Sequence, residues 1–164
     1  MKPKRFLLLF FNLLVIWLLL NNSLANPVLI SGVITALILG VLLYRYSEYL
    51  ADIRLTPKAL LYSVAYAMVF LKELFMSNLD MAYRVLAPSL PIKPGIVEVK
   101  TRLQSKIGRL VLANSITLTP GTFTVDIIDN SLFIHWINVK SEETSKNTES
   151  IVRKFEKYLE VMYG

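Results

Sequence analysis

Two long apolar segments lie near the start of the chain, and their pattern predicts two membrane-spanning helices. Residues 6–20 contain one polar side chain, Asn12, and residues 27–44 contain no charge. At 1.5 Å per residue the second segment covers about 27 Å of a bilayer core that is about 30 Å thick, and the uncharged residues 21–25 extend the first. Residues 1–25 also have the form of a signal peptide, but a second apolar segment follows at once, so we expect retention.

Basic residues border this predicted hairpin, residues 1–58, on its two outer sides. They precede the first apolar segment and follow the second: Lys2, Lys4, Arg5, Arg45, Arg54 and Lys58. The connection at residues 21–26 carries no charge. Because lysine and arginine concentrate on the cytoplasmic side of membranes, we expect a multi-pass protein of the cell membrane with both ends of the hairpin in the cytoplasm.

Small residues recur every four positions in the second apolar segment, at Gly32, Ala36 and Gly40. This spacing places them on one face of a helix, where the backbone of another helix can approach closely. We therefore predict that this stripe is a helix-packing surface.

A third helix is predicted for residues 59–88, after the helix-start pair Thr56–Pro57. Residues 59–71 are apolar all round but cover only about 20 Å, whereas the part from Lys72 onward is amphipathic. This helix could cross the membrane or lie in its interface. A crossing would bury Lys72 and Glu73 and export a basic domain, which favours the interface. The polar residues that we expect to face partner subunits are Lys72, Glu73, Asn78, Asp80 and Arg84.

Residues 89–164 follow a proline-rich break and are predicted to form a small cytoplasmic domain. The hydrophobic periods give the order β-α-β-β-α, with strands at 96–101, 122–128 and 132–139 and helices at 102–116 and after 150. Phe123, Val125 and Ile127 alternate with polar residues and are predicted to face the core. The fold class is therefore a membrane α-helical N-terminal half plus a small α+β domain of ferredoxin-like type.

The composition and charge of the chain exclude several kinds of catalytic and metal site. The chain has no cysteine and one histidine, which removes thiolate catalysis and cysteine-ligated metals. Its net charge is +6, and before Pro88 eight basic residues face four acidic ones. Such an excess beside apolar segments is typical of contact with anionic lipid, not with nucleic acid. His135, the single histidine, lies inside a predicted strand and is interpreted as a structural residue of that strand. We therefore expect no catalytic, cofactor-binding or metal-binding residues in this chain.

The segment between the first domain helix and the second strand carries a recognisable motif. Residues 113–122 read ANSITLTPGT, and this run closely resembles the signature stretch of the E subunit of the multisubunit Na⁺(K⁺)/H⁺ antiporters, the Mrp family. Lys72-Glu73-Leu74 and Pro94-Gly95-Ile96-Val97 resemble other parts of the same family. The hydroxyl groups here are interpreted as turn-capping groups. The residues assigned to this structural motif are Asn114, Thr117, Thr119, Pro120, Gly121 and Thr122.

The resemblance implies a non-catalytic accessory subunit without cofactors, needed for assembly of an ion-translocating membrane complex. Its implied partners are the other subunits of the antiporter and the lipid bilayer. The same subunit type occurs in membrane-bound hydrogenase and related respiratory complexes, which is an alternative host. A free-standing membrane-anchored ligand-binding module is a further alternative, and a membrane enzyme is a third. The module would be stable alone and hold a pocket, whereas the enzyme would gather polar groups around His135 or Thr119.

Overall fold

The computed structural model describes the backbone of residues 2–164, with the side chains at all of these positions except 49 and 51. The chain divides into two compact units, Met1–Ile53 and Arg54–Gly164. The third helix therefore belongs to the same unit as the α+β domain, and the two units are described separately.

The first unit is a helical hairpin. Helix α1 covers Pro3–Asn21 and helix α2 covers Asn26–Leu43, followed by short 3₁₀ turns at Tyr44–Tyr46 and Glu48–Asp52. A proline in the first turn starts each helix, where its missing N–H costs no hydrogen bond. The Arg5 guanidinium lies over the ring of Tyr44, 4.3 Å from its centroid, and Arg5 Nε donates to the Ser47 hydroxyl at 2.9 Å.

The small-residue stripe of α2 faces α1 of the same chain. Gly32, Ala36 and Gly40 are the buried residues of α2. A Cβ atom added at Gly32 would lie 2.6 Å from Cδ1 of Trp17, and one added at Gly40 would lie 3.2 Å from Cε2 of Phe6. Aromatic rings of α1 therefore occupy the space that the missing side chains leave.

Three helices of the described residues are long and apolar enough to cross a membrane, judged by length and composition: Pro3–Asn21, Asn26–Tyr46 and Pro57–Leu86. The last of these, helix α3, opens the second unit. Its N-cap is Thr56, whose hydroxyl accepts a hydrogen bond from the amide of Ala59 at 3.1 Å. At 1.5 Å per residue α3 is about 45 Å long.

The rest of the second unit is an α+β domain with three strands in one antiparallel sheet. The strands are β1 (Gly95–Lys100), β2 (Thr122–Ile128) and β3 (Ser131–Trp136), in the spatial order β1-β3-β2. The helices are α4 (Lys106–Leu118), α5 (Thr144–Ile151) and α6 (Arg153–Tyr163). The chain order agrees with the predicted one, except that the final helix consists of two pieces.

The hydrophobic core of this domain lies between the sheet and its helices. It is built from Val97, Val99, Leu132 and Ile134 of the strands, Leu112, Ala113 and Ile116 of α4, and Leu103, Ile151, Val152, Phe155 and Leu159. The opposite face of the sheet carries Ile96, His135 and Phe123 as cross-strand neighbours, all of them exposed. The predicted strand histidine is thus an exposed residue of the open sheet face.

The predicted core face of β2 was wrong at two of its three positions. Phe123 and Val125 are at least half exposed, whereas Ile127 packs against the core. The strand register shifts between Thr124 and Asp126, so β2 contains a β-bulge. An extra residue reverses the alternation of side chains. Before the bulge Thr124 points inward, and its hydroxyl donates to a backbone carbonyl of α4 at 3.1 Å.

Helix α4 turns a different face to the core than the hydrophobic period of its sequence indicates. Leu110 and Asn114 are exposed. The helix starts later than predicted because the side chain of Ser105 caps it, accepting from the amide of Gly108 at 3.2 Å. The buried residues of α4 are Gly108, Leu112, Ala113, Ser115 and Ile116.

Candidate functional site

A polar groove of about 330 Å³ runs between α3 and the α+β domain. We call it the α3 groove. It brings together two sets of residues that were identified separately in the sequence, the charged residues of α3 and the signature segment. Its polar lining includes Glu73, Ser77, Asp80 and Arg84 of α3, Thr119 and Thr122 of the signature segment, and Asn138, Lys140 and Lys154.

An ion pair closes one end of the α3 groove. The ammonium group of Lys154 in α6 lies 2.6 Å from a carboxylate oxygen of Glu73. The Lys154 side chain is 31% exposed and the Glu73 side chain is 24% exposed. Such partial burial reduces screening by water, so this pair is worth more than one on an open surface. Glu73 therefore fixes α6 against the middle of α3.

Arg84 organises the other end of the α3 groove. Its guanidinium makes two hydrogen bonds to the Asp80 carboxylate, at 2.7 and 3.1 Å, and a further one to the carbonyl of Pro91. With its amide oxygen turned toward Arg84, Asn138 accepts two more at 3.1 Å. One side chain thus ties the end of α3 to the proline-rich linker and to the segment after β3.

The signature segment forms the joint between α4 and β2. The Thr119 hydroxyl donates to the carbonyl of Ser115 at 2.7 Å, and the Thr122 hydroxyl donates to the carbonyl of Ile116 at 2.7 Å. Gly121 has a φ of +90°, a conformation that glycine adopts without a Cβ clash. Its carbonyl accepts from the amide of Ile137 at 2.9 Å. These bonds satisfy backbone groups that the turn leaves open.

The remaining motif residues have different surroundings. The hydroxyl of Thr117 accepts from the amide of Thr124 at 3.1 Å, which links α4 to β2. Pro120 is half-buried beside the groove. Asn114 lies on the exposed side of α4, away from the joint.

The residues predicted to face partner subunits divide into two groups. Lys72 and Asn78 are exposed, and Asp80 is 57% exposed beside Arg84. Glu73 and Arg84 contact the chain's own domain, and a partner-facing role for this set of residues stays a prediction. The sequence showed an amphipathic helix but not which of its side chains the domain covers, and the domain covers Glu73 and Arg84 while it leaves Lys72 and Asn78 exposed.

Glu156 is a buried charged residue that the sequence analysis did not single out. It is 2% exposed, and one carboxylate oxygen accepts from the Thr101 hydroxyl and from the amide of Arg102, both at 2.6 Å. The other oxygen pairs with Arg153. The sequence feature that could have indicated this buried position is an acidic residue directly after the core residue Phe155 in an amphipathic helix.

A second missed contact joins the first half of α3 to the domain. The Tyr66 hydroxyl hydrogen-bonds to the Ser115 hydroxyl, and Ser115 in turn donates to the carbonyl of Val111 at 2.6 Å.

Burial raises the pKa of Tyr163 above its ordinary value, and the neighbouring Tyr66 adds to this rise. Tyr163 therefore stays neutral and packs as a largely apolar ring against the core.

No three histidine, cysteine, aspartate or glutamate side chains come together in a metal-binding arrangement within residues 2–164. Throughout the same residues, no fully buried side-chain nitrogen or oxygen atom lacks a hydrogen-bond partner. In the α3 groove and the joint, the described bonds connect elements of one chain. Their chemical effect is to position α3, α4, α6 and the sheet.

Comparisons with known proteins agree on one family. The sequence model of a family described as Na⁺/H⁺ ion antiporter subunit matches residues 10–162. The chain is 33% identical over 146 residues to the Na⁺/H⁺ antiporter E subunit of Bacillus subtilis, and the match covers 88% of this chain and 89% of that protein. It is 37% identical over 134 residues to the E subunit of Alkalihalophilus pseudofirmus, covering 79% and 80%.

Among solved structures, the chain resembles one chain of the membrane-bound sulfane sulfur reductase, an archaeal respiratory membrane complex. The two are 45% identical with a TM-score of 0.85, and the match covers 98% of this chain and 99% of the other. The matched family model covers α1 from residue 10 onward, all of α2 and α3, and the whole signature segment. The chain belongs to the family of Na⁺/H⁺ antiporter E subunits.

Proposed function

We propose that this chain is a non-catalytic structural subunit, needed for the assembly of a multisubunit cation/proton antiporter module. The observation that carries the proposal is the use of the signature segment. Its hydroxyl groups bond to backbone carbonyls of α4 and to the turn, and so hold the sheet in position. Because the signature residues hold the backbone of their own domain in place, they support a structural role better than a catalytic one.

A respiratory complex with an antiporter-like module is the second candidate host. It is favoured by the 45% identity to a chain of the sulfane sulfur reductase complex, which extends over nearly the whole of both chains. The antiporter subunits that match are 33% and 37% identical over somewhat less of the chain. Both hosts give this subunit the same structural role.

Purification in mild detergent with mass spectrometry of the partners tests both the structural role and the identity of the host complex. We expect antiporter-type membrane subunits to co-purify with the full-length chain, and loss of the chain to lower the amount of assembled complex. Redox subunits among the partners would identify the respiratory host. Recovery of the chain alone, as a stable protein without membrane partners, would contradict the structural role and favour the free-standing module.

We also propose that the α+β domain lies in the cytoplasm, which the basic residues around the hairpin support. Because the chain has no cysteine, single cysteines report position without background from this subunit. Leu24→Cys in the α1–α2 connection and Ser145→Cys in α5 occupy exposed sites. In intact cells, an impermeant thiol reagent should label Leu24→Cys only. Labelling of Ser145→Cys would place the domain outside.

For the domain itself we propose a ferredoxin-like half-barrel. The antiparallel order β1-β3-β2, with a helix after β1 and helices after β3, supports this assignment. In such a half-barrel one sheet face stays open, as the exposed face with Ile96, Phe123 and His135 does here.

A further inference from the structure

We propose that α3 lies in the plane of the membrane surface, with its outward apolar face inserted into the lipid interface, and that it does not cross the bilayer. The partner of this surface is lipid. The inference goes beyond the subunit role and holds for either host complex, because it concerns residues of this chain alone.

The α+β domain contacts α3 along nearly its whole length. From the start of the helix to its end, the contacts are Tyr62 with Tyr158, Phe70 with Phe155, Glu73 with Lys154, Met81 beside Gly121, and Arg84 with Pro91. The stretch from Tyr62 to Arg84 measures about 33 Å along the helix axis, which matches the thickness of a bilayer core.

This arrangement conflicts with a membrane crossing. A crossing helix would need about 20 consecutive residues in the hydrocarbon core, and any such window of α3 includes residues that touch the domain. The charged residues Lys154 and Glu156 and the polar strand ends would then enter the hydrocarbon together with the helix. An in-plane helix avoids this, because the domain lies on the side that faces water.

The exposed side of α3 carries a row of large apolar side chains that extends over most of the helix. Six side chains on it are 63–81% exposed: Leu61, Val64, Met68, Phe75, Tyr83 and Leu86. Their spacing of three, four, seven or eight residues places them on one stripe at 100° per residue. We call these six residues the α3 stripe. A contiguous row of exposed apolar side chains marks an interaction surface.

Lys72 distinguishes an in-plane helix from a crossing one. It lies on the exposed side, close to the stripe, and at the middle of Pro57–Leu86. In a crossing helix this ammonium group would sit near the centre of the bilayer. In an in-plane helix every residue has a similar depth, and the lysine side chain is long enough to reach headgroup phosphates.

The connection to the membrane hairpin favours lipid over a soluble partner. Residues 44–56 are all that separate α2, a candidate span, from the start of α3. The helix is therefore synthesised next to a membrane anchor. Basic residues at its start, Arg54 and Lys58, suit the anionic lipid headgroups of a cytoplasmic leaflet.

Depth measurements along the stripe test the proposal in the assembled complex. Leu61→Cys, Met68→Cys, Phe75→Cys and Leu86→Cys are labelled with a fluorophore, and the complex is placed in nanodiscs of phosphatidylcholine and phosphatidylglycerol. Lipids with nitroxide quenchers at different depths then locate each label. Complex with the cysteine-free wild-type chain gives the background from other subunits. Leu37→Cys, on the exposed side of α2, is the deep control, and Ser145→Cys is the unquenched one.

We expect all four stripe labels to be quenched at the same shallow depth, about 5–10 Å into the headgroup boundary. Depths that change steadily from Leu61 to Leu86, over about 37 Å of helix, would show a crossing helix and overturn the proposal. Quenching at Leu37→Cys without quenching at any stripe position would also overturn it, because the stripe would then be covered by another protein chain. Neither result would affect the co-purification test of the structural role.

Discussion

Replacing Glu156 should loosen the loop between β1 and α4 more than any other single change of a charged residue in the domain. The carboxylate holds the Thr101 hydroxyl and the amide of Arg102, and the Thr101 hydroxyl accepts in turn from the amide of Leu103 at 3.2 Å. Thr101 is 4% exposed, so water does not readily replace the lost acceptor. In Glu156→Ala, two donors lose their partner in a closely packed region.

The expected magnitude follows from these bonds. The buried Thr101 hydroxyl left without a partner costs about 1–3 kcal/mol, and the lost charge-assisted bond to the amide of Arg102 brings the loss to the order of 3 kcal/mol for the local opening reaction. The ion pair with Arg153 adds less, because the Arg153 side chain is 29% exposed and regains water. A loss of about 3 kcal/mol corresponds to roughly a hundredfold change in an equilibrium constant.

Hydrogen–deuterium exchange of the purified complex measures this opening directly. In Glu156→Ala, amides of residues 101–105 should exchange roughly a hundredfold faster than in wild type. Glu156→Gln keeps an oxygen acceptor of similar shape and should lie between the two. Glu160→Ala, one turn later in α6, is the matched control and should leave this loop unchanged. Wild-type protection in Glu156→Ala would refute the role assigned to the carboxylate.

Two further pairs of variants test the helix stripe and the joint. Gly32→Ala should destabilise the complex by about 1–3 kcal/mol through overpacking against Trp17, and Gly40→Ala should cost less because its Cβ has more room; equal thermal stabilities would contradict this order. Gly121→Ala should lower the yield of assembled complex on native gels, since a left-handed backbone costs a residue with a Cβ about 1–2 kcal/mol. Thr119→Val should cost about 1–3 kcal/mol and keep transport in proportion to the assembled complex; normal assembly with no transport would place chemistry in this chain.

The sequence was sufficient to predict most of the elements, because each of these depends on a local pattern. Uncharged apolar runs predicted the long helices, and Thr56 with Pro57 predicted the start of α3, where the Thr56 hydroxyl does cap the helix. Strand alternation predicted the three strands of the sheet. These signals need only neighbouring residues and simple geometry.

Features that depend on distant pairing could not be predicted. The bulge in β2 reverses which side of the strand is buried, and the sequence of Thr122–Ile128 contains no pattern that predicts a bulge. Helix α5 lies in a polar run, and it is held by contacts such as the amide of Lys100 donating to the Thr148 hydroxyl at 3.0 Å. The α3 groove was missed for the same reason, since Glu73 finds its partner only in α6.

The separation of these partners along the chain has a consequence for biosynthesis. Glu73 and Lys154 are 81 positions apart, and Tyr66 and Ser115 are 49 apart. At a synthesis rate of about 5–20 residues per second, α3 exists for roughly 4–16 s before α6 has been made. During that interval α6 is not yet available to cover the Glu73 side of the helix. Adsorption to the adjacent bilayer would protect the nascent helix from aggregation and let the domain condense onto its water-facing side as translation ends.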